Sequence, residues 1–322
     1  MSARNRRRMT VTPLRRRLAA AAGILALAVV AASCAAVPVQ SLVRGAVAEA
    51  APAAVTSTGP VSDRQLRPLP ISPLAARAGE AAYAYPTSDG HEVRIHVVLA
   101  TGPAPRPAVL ILPGSEGFRE SYLDLARTMA ATGVDVVVGC WARWDYPSNS
   151  PATQCAHAQP RTAVVESTVP TIQALVDATI AATGDSIASL RVLGYSRGAG
   201  VAVLWAARTG SAVPIVDLAG MVTGQVRPVF GAGAAPDELN VVDLAATLPG
   251  PVLVIHSRGD QMVVPAQSDA LVAARHAAGR DVTEHWLSAQ CGGLPCNHNV
   301  LAFATSTEEV LDTTTAWLAT LA

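Results

Sequence analysis

The segment GYSRG at residues 194–198 places a serine between an apolar run and a run of small residues. The apolar run 190–193 is typical of a buried strand, and the run 198–208 is typical of a helix. In a sharp turn between a strand and a helix, Gly194 and Gly198 leave room for neighbouring backbone, and the hydroxyl of Ser196 is presented at the edge of a sheet. A hydroxyl is a weak nucleophile, so it needs a base to take its proton and an acid to orient that base. Ser196 is therefore a candidate nucleophile.

The acid is expected in a loop after a later strand, because ligand-facing groups collect at the carboxyl ends of strands in open α/β sheets. The apolar run 251–256 predicts such a strand, and Asp260 follows it in the loop SRGDQMVVP. Asp260 is the candidate orienting acid, although an aspartate at this position could also cap the following helix. Asp217, at the end of the preceding strand, is the rival acid.

The candidate base is His298, which lies in the segment CNHN at residues 296–299 after a further helix and strand. A loop suits a group that must take a proton and later return it. Its rivals are His285, inside a predicted strand, and His276, on a predicted helix, and both positions suit a mobile base less well. The chain thus supplies serine, aspartate and histidine in that order.

This order, together with the upstream segment LPGSEG at residues 112–117, resembles the α/β-hydrolase superfamily, and most closely its dienelactone-hydrolase-like branch of serine esterases. The resemblance covers residues from about 80 to 322. It implies an oxyanion hole in which the backbone N–H groups of Ser115 and Arg197 bind the developing charge. It also implies that neither a cofactor nor a metal is required. The chain departs from the common pattern at Pro113, where many members have histidine.

Short apolar segments alternate with amphipathic segments downstream of residue 80, which predicts parallel strands joined by right-handed crossover helices. We expect an α/β-hydrolase fold: a mostly parallel, doubly wound sheet of about eight strands with helices on both faces. Residues 82–85 and 93–99 are expected to open it as a hairpin, and a long helix over 163–183 is expected to kink or restart at Pro170. Only 34 residues separate Val216 from Pro251, too few for the large helical lid of lipases.

The amino terminus has the pattern of a secretory signal. Arginines precede the apolar run Leu18–Ala32, and no acidic residue occurs before Glu49. The 15-residue run is short of the roughly 18 to 20 residues that span a bilayer. We therefore predict a signal peptide at 1–33, a linker or strap at 34–79, and a hydrolase domain at 80–322. The protein is expected to be exported, either extracellular or anchored to the outer face of a bacterial cell membrane.

The chain has five cysteines, an odd number for an exported protein. Cys34 ends the segment VAASC, which resembles a lipoprotein box, so lipidation and plain secretion are both open. The remaining four allow three pairings, of which the local one, Cys140 with Cys155 and Cys291 with Cys296, is favoured because each pair brackets one short loop. Cys291, Cys296 and nearby histidines could instead bind zinc, but their spacing is not a standard zinc pattern.

The overall composition is that of a globular protein of 322 residues, with 24 basic and 24 acidic side chains and no net charge. Neither a polybasic nucleic-acid binder nor an acidic disordered tail fits it. The sequence therefore predicts an exported serine hydrolase that cleaves small to medium carboxylic esters or lactones. Two alternatives remain open, an acyltransferase and a non-catalytic binding or envelope protein on the same scaffold. The sequence gives no indication of an oligomeric state.

Overall fold

The computed structural model describes residues 65–69, 71, 77, 79–88, 90–103, 106–115, 119–141, 168–223 and 240–321. All of them belong to one compact unit, Ala53–Ala322. The main sheet is formed by β1 (Arg67–Pro68), β2 (Glu80–Pro86), β3 (Glu92–Val98), β4 (Ala108–Leu112), β5 (Asp135–Gly139), β6 (Leu190–Tyr195), β7 (Ile215–Leu218), β8 (Val252–His256) and β9 (Val282–Trp286).

The helices are α1 (Glu120–Ala131), α2 (Thr168–Thr183), α3 (Arg197–Thr209), α4 (Val242–Ala245), α5 (Ala266–Ala277) and α6 (Ala304–Ala319). A small hairpin, β10 (Gln290–Cys291) and β11 (Leu294–Pro295), follows β9. A 3₁₀ turn, Val300–Ala302, leads into α6.

The strand order across the sheet is β1-β2-β3-β5-β4-β6-β7-β8-β9. The strands from β5 to β9 run parallel, and β1, β2 and β3 add an antiparallel edge. The expected fold class and the opening hairpin are confirmed. In the described part of the chain the sheet has nine strands, because β1 lies inside the segment predicted as a linker and pairs with β2.

The parallel strands are apolar on both sides because helices cover both faces of the sheet. Along β4, Leu110 and Leu112 pack into a core with α2, α3, α4 and α5. Val109 and Ile111 point the other way, into a core with α1 and α6. Side chains that alternate along one strand therefore pack into two separate cores, one on each face, as a doubly wound sheet requires.

We expected this helix to kink or restart at Pro170, and its described part begins at Thr168 without a kink. Pro170 lies in the first turn of α2, which runs without interruption to Thr183. A proline is tolerated there because first-turn N–H groups have no acceptor within the helix. The five residues before Thr168 that we assigned to this helix lie outside the described residues.

Between β7 and β8, the described residues contain one short helix, α4. Residues 224–239 of this connection lie outside the described part of the chain. Among the helices that the structure describes, none combines the length and apolar character needed to cross a membrane.

Candidate active site

The backbone at Ser196 adopts a conformation that residues other than glycine rarely adopt. Between β6 and α3, its φ is 55° and its ψ is −121°. Such conformations cost about 1 to 3 kcal/mol and persist where surrounding contacts impose them. Here the N–H of Ser196 donates to the carbonyl of Leu218 at 2.9 Å, and the Ser196 carbonyl accepts from Met221 at 2.9 Å and Ala199 at 3.1 Å. The turn is therefore held from β7, from the segment after β7 and from α3.

The two glycines of the turn are required by close backbone contacts. A Cβ at Gly194 would lie 2.4 Å from the Cα of Ala199, and a Cβ at Gly198 would lie 2.1 Å from the carbonyl oxygen of Leu112. Both distances are far below van der Waals contact, and backbone atoms cannot swing away as a side chain can. The predicted reason for these glycines is confirmed.

Ser196, His298 and Asp260 form one hydrogen-bonded chain. The Oγ of Ser196 lies 2.9 Å from Nε2 of His298. On the other side of the ring, Nδ1 lies 2.7 Å from Oδ2 of Asp260. All three residues are buried. With the ring proton on Nδ1 facing the carboxylate, Nε2 presents its lone pair to the serine hydroxyl, so the chain has the geometry to accept the serine proton.

Asp260 is held in its ionised form. Burial alone would raise its pKa, but hydrogen bonds from His256 and His298, with the charge interactions of both rings, lower it to about 2. The other carboxylate oxygen, Oδ1, accepts from the N–H groups of Met262 at 2.8 Å and Val263 at 3.0 Å. The four contacts satisfy both oxygens and fix the plane of the carboxylate.

His256 is a site residue that the sequence did not reveal. It is the last residue of β8, fully buried, and its Nε2 lies 3.0 Å from Oδ2 of Asp260. In the sequence it completes an apolar strand, so its pattern is that of a core residue. A usable signal was its position four residues before Asp260, at the carboxyl end of the strand that carries the acid.

The loop that carries His298 is anchored from the nucleophile side. The hydroxyl of Tyr195 donates to the carbonyl of His298, and the two rings stack with centroids 5.1 Å apart. Oδ1 of Asn297 accepts from the N–H of His298 at 2.7 Å and from the N–H of Gln261 at 2.9 Å. The base is thereby tied both to the strand before the nucleophile and to the loop of the acid.

The predicted Cys291–Cys296 disulfide is present and closes the hairpin β10–β11 just before His298. The hydroxyl of Ser257 donates to the carbonyl of Cys296, which links this hairpin to the loop after β8. Because both sulfurs are used in the disulfide, the zinc alternative loses its thiolate ligands. Cys140 is also disulfide-bonded. Its predicted partner Cys155 lies outside the described residues, as does Cys34.

Two of the three rival site residues have other partners, and the third is exposed. Asp217 is fully buried, and its Oδ1 accepts from the N–H of Gly220 at 2.9 Å. His285 pairs with Glu309 at 2.9 Å. His276 is exposed in the last turn of α5. Of the two aspartates we weighed as acid, the structure brings Asp260 to His298.

The loop after β4 packs directly beside the nucleophile turn. The indole N–H of Trp141 donates to the carbonyl of Pro113 at 2.6 Å, and the N–H of Gly114 donates to the hydroxyl of Tyr122 at 3.0 Å. Two aromatic side chains therefore fix the residues that lead to Ser115, so the loop that carries this predicted donor has a defined path.

Ser115 and Arg197, the predicted oxyanion donors, lie on different elements. Ser115 is half-buried on the loop after β4. Arg197 is the first residue of α3 and is buried. The N–H groups in the first turn of a helix have no acceptor within that helix, which makes this end of α3 suited to stabilise a negative charge.

No protein-family model matches the chain, and no curated protein matches it. Solved structures do resemble it. A putative dienelactone hydrolase from Klebsiella pneumoniae gives a TM-score of 0.54 at 17% identity, over 74% of this chain and 98% of that one. Est1E from Butyrivibrio proteoclasticus gives 0.55 at 15% identity, over 74% and 98%. This chain has the α/β-hydrolase fold.

The α/β-hydrolase fold also occurs in longer solved chains that resemble this one. The acylaminoacyl peptidase from Pyrococcus horikoshii gives a TM-score of 0.54 at 10% identity, over 74% of this chain and 48% of its own. Est1E has also been solved with ferulic acid bound. At these identities the likeness extends to the fold, and the chemistry must be argued from the site.

Proposed function

We propose that this protein is an exported serine hydrolase that cleaves carboxylic esters or lactones of small to medium size through an acyl-enzyme. The observation that carries the proposal is the hydrogen-bonded chain from Ser196 through His298 to Asp260, with the serine on a strained turn. Strain of this kind is tolerated where it serves a purpose, and here it presents a hydroxyl to a base.

In the proposed reaction, Oγ of Ser196 attacks the carbonyl carbon of the ester while Nε2 of His298 takes the hydroxyl proton. The tetrahedral intermediate collapses when the same ring gives that proton to the leaving alcohol. A water molecule then attacks the acyl-enzyme, and His298 again takes and returns a proton. Asp260 stays ionised throughout, because its pKa of about 2 lies far below neutral pH, and it stabilises the charged ring.

We assign the stabilisation of the developing oxyanion to the backbone N–H groups of Ser115 and Arg197. Removing one such donor typically costs about 3 kcal/mol of transition-state stabilisation. The hydrogen bonds that hold the loop after β4 support this assignment, since a donor must be in place before the charge appears.

The substrate class is proposed from the site and from the proteins that share the fold. A putative dienelactone hydrolase and Est1E, which was solved with ferulic acid bound, both match over almost their whole length. The peptidase matches over less than half of its own length, which favours esters and lactones over peptides. Lactones and feruloyl esters are therefore the first compounds to test.

Export is proposed from the signal-like segment at 1–33, with attachment through a lipid on Cys34 or release into the medium. Mass spectrometry of the mature amino terminus separates the two. A diacylglyceryl adduct on Cys34 indicates attachment, an unmodified terminus near residue 34 indicates secretion, and an intact residue 1 would contradict cleavage.

The direct test of the proposed activity is hydrolysis of a panel of p-nitrophenyl esters of increasing acyl length, methyl ferulate and a dienelactone. We compare the wild-type chain with Ser196→Ala and with Ser115→Ala, whose backbone N–H is retained. Activity should fall to background in Ser196→Ala and persist in Ser115→Ala. Turnover unchanged by Ser196→Ala would contradict the proposal, and an inert, well-folded wild-type chain would favour the non-catalytic alternative.

A further inference from the structure

Two histidines, rather than one, bind the same oxygen of Asp260. Oδ2 lies 2.7 Å from Nδ1 of His298 and 3.0 Å from Nε2 of His256. Nε2 of His256 also lies 3.0 Å from the carbonyl oxygen of Val263. On the opposite side of the His256 ring, Nδ1 lies 2.7 Å from the hydroxyl of Ser268. The proposed triad therefore continues inwards through a second ring to helix α5.

The partners of His256 define its tautomer. Nε2 faces an ionised carboxylate and a backbone carbonyl, which can only accept hydrogen bonds, so Nε2 must carry a proton. Nδ1 faces a hydroxyl, which can donate. A ring protonated on Nε2 thus satisfies the contacts with Asp260, Val263 and Ser268, and its N–H is aimed at Oδ2 of Asp260.

His256 has no room to take another orientation. It is fully buried, and its ring stacks on that of Trp286 with centroids 6.0 Å apart and planes inclined by 15°. Arg258 covers the Trp286 ring at 3.2 Å from its centroid. Because contacts hold one face of the His256 ring and both of its nitrogens, the ring is a rigid hydrogen-bond donor. Such rigidity is needed to hold another side chain in place.

We propose that His256 is a positioning residue of the active site, which holds the carboxylate of Asp260 in the plane that serves His298 and limits how strongly Asp260 attracts the His298 proton. This inference rests on the proposed function. A carboxylate oxygen that accepts two hydrogen bonds is a weaker acceptor for each of them. Loss of the His256 donor would therefore leave Asp260 less well oriented but more basic toward His298.

The titratable and charged groups around this network are Asp217 in β7, Asp260 and Arg258 after β8, Asp269 on α5, which pairs with Arg258 at 3.0 Å, and His298 before α6. α5 also contributes Ser268 and β9 contributes Trp286, both uncharged. Of these groups, His298 is the one that takes the proton, and Asp260 contacts it directly. We therefore expect a substitution of His256 to change the pH profile of kcat/KM through its effect on Asp260.

A pair of amide substitutions tests the inference. In His256→Gln the amide N–H can occupy the position of Nε2 and still donate to Asp260, while the contact with Ser268 is lost. In His256→Asn the shorter amide can occupy the position of Nδ1 and contact Ser268, but it falls short of Asp260. The two variants are both uncharged, differ by one methylene, and separate the donor to Asp260 from the rest of the ring.

We expect kcat for the best ester of the panel to fall by about 10- to 100-fold in His256→Asn, with KM changed less than about threefold, because a hydrogen bond to a charged group is lost. His256→Gln should retain kcat within about fivefold of the wild-type value. The acidic limb of the pH profile of kcat/KM should move to higher pH in His256→Asn and stay in place in His256→Gln. Ser268→Ala is the matched control, because it removes the contact at Nδ1 and leaves the hydrogen bond from His256 to Asp260 in place. Its kcat and pH profile should resemble those of His256→Gln.

Urea unfolding of each variant identifies any loss of fold. Equal loss of kcat in both amide variants, or a fall in His256→Asn with no movement of the acidic limb, would mean that His256 acts only through packing and would overturn the inference. A wild-type chain without Ser196-dependent turnover would instead contradict the proposed function. If both amide variants fail to fold, the ring N–H signal of His256 is recorded by NMR in the wild-type chain and in Asp260→Asn. A signal that moves on this substitution supports the inference, and a signal that stays in place contradicts it.

Discussion

The buried carboxyl of Asp217 provides a quantitative test of the electrostatics beside the nucleophile. Burial raises the pKa of Asp217 from 3.8 to about 6, and the electrostatic interaction with His256 and a hydrogen bond from Gly220 offset only part of this effect. Its Oδ2 has no hydrogen-bond partner within the described part of the chain. An uncharged side chain of the same shape should therefore fit this position better than the aspartate at neutral pH, so the change to test is Asp217→Asn.

The magnitude follows from the two pKa values. The folded state binds the Asp217 proton more tightly than the unfolded state, so stability falls as pH rises from 3.8 through about 6. One pKa unit corresponds to 1.36 kcal/mol, so the full effect is about 3 kcal/mol. Below pH 3.8 the carboxyl is protonated in both states, and the substitution should be nearly neutral. Above about pH 6 it should stabilise the fold by up to about 3 kcal/mol.

The assay is equilibrium urea unfolding of the wild-type chain and Asp217→Asn at pH 4 and pH 8, with the difference between the two proteins compared at each pH. Ester turnover of the same samples should stay within a few-fold of wild type. The control is Asp260→Asn, an identical change at the proposed acid, for which kcat should fall by about 10⁴-fold. A stability difference that does not grow between pH 4 and pH 8 would refute the electrostatic reasoning. A loss of turnover in Asp217→Asn equal to that in Asp260→Asn would refute the assignment of the acid.

Three further substitutions test how the site is built. In Gly198→Ala, the new Cβ would meet the Leu112 carbonyl, so the free energy of unfolding in urea should fall by about 1 to 3 kcal/mol. An unchanged free energy of unfolding would be inconsistent with the close approach. Tyr195→Phe removes the hydroxyl that binds the His298 carbonyl; kcat should fall several-fold and stability by about 1 kcal/mol, whereas wild-type kinetics would leave the anchor without a role. Replacing Cys291 and Cys296 by serine opens a short loop and should cost about 2 kcal/mol with a lower kcat, and full activity after reduction of the wild-type protein would argue against the hairpin as a support for the base.

The elements that carry the proposed site were predictable from the sequence because each is fixed by a local pattern. The turn around Ser196 joins an apolar run to a small-residue run, and Asp260 follows the apolar run that became β8. Hydrophobic periodicity and turn glycines are local signals, so they can be recognised in the sequence without knowledge of the tertiary structure.

The features that escaped prediction depend on contacts between distant residues. His256 belongs to an apolar strand by pattern, and only the packing of α5 and the loop after β8 turns its ring toward Asp260. β1 has no strand pattern of its own and exists through pairing with β2. Tyr195 was visible as part of the nucleophile turn, but its bond to the His298 carbonyl joins residues 103 positions apart. Tertiary context decides such cases over local propensity.

The measurement that most directly tests the account is covalent labelling of the wild-type chain with a fluorophosphonate, followed by peptide mass mapping. An adduct on Ser196 is predicted, with labelling at least about 100-fold slower in His298→Gln, because the hydroxyl is activated by the ring beside it. Tyr195→Phe and Asp217→Asn should still be labelled on the same serine. Labelling at another residue, or labelling of Ser196 at the same rate in His298→Gln, would contradict the claim that this serine and this histidine work as one unit.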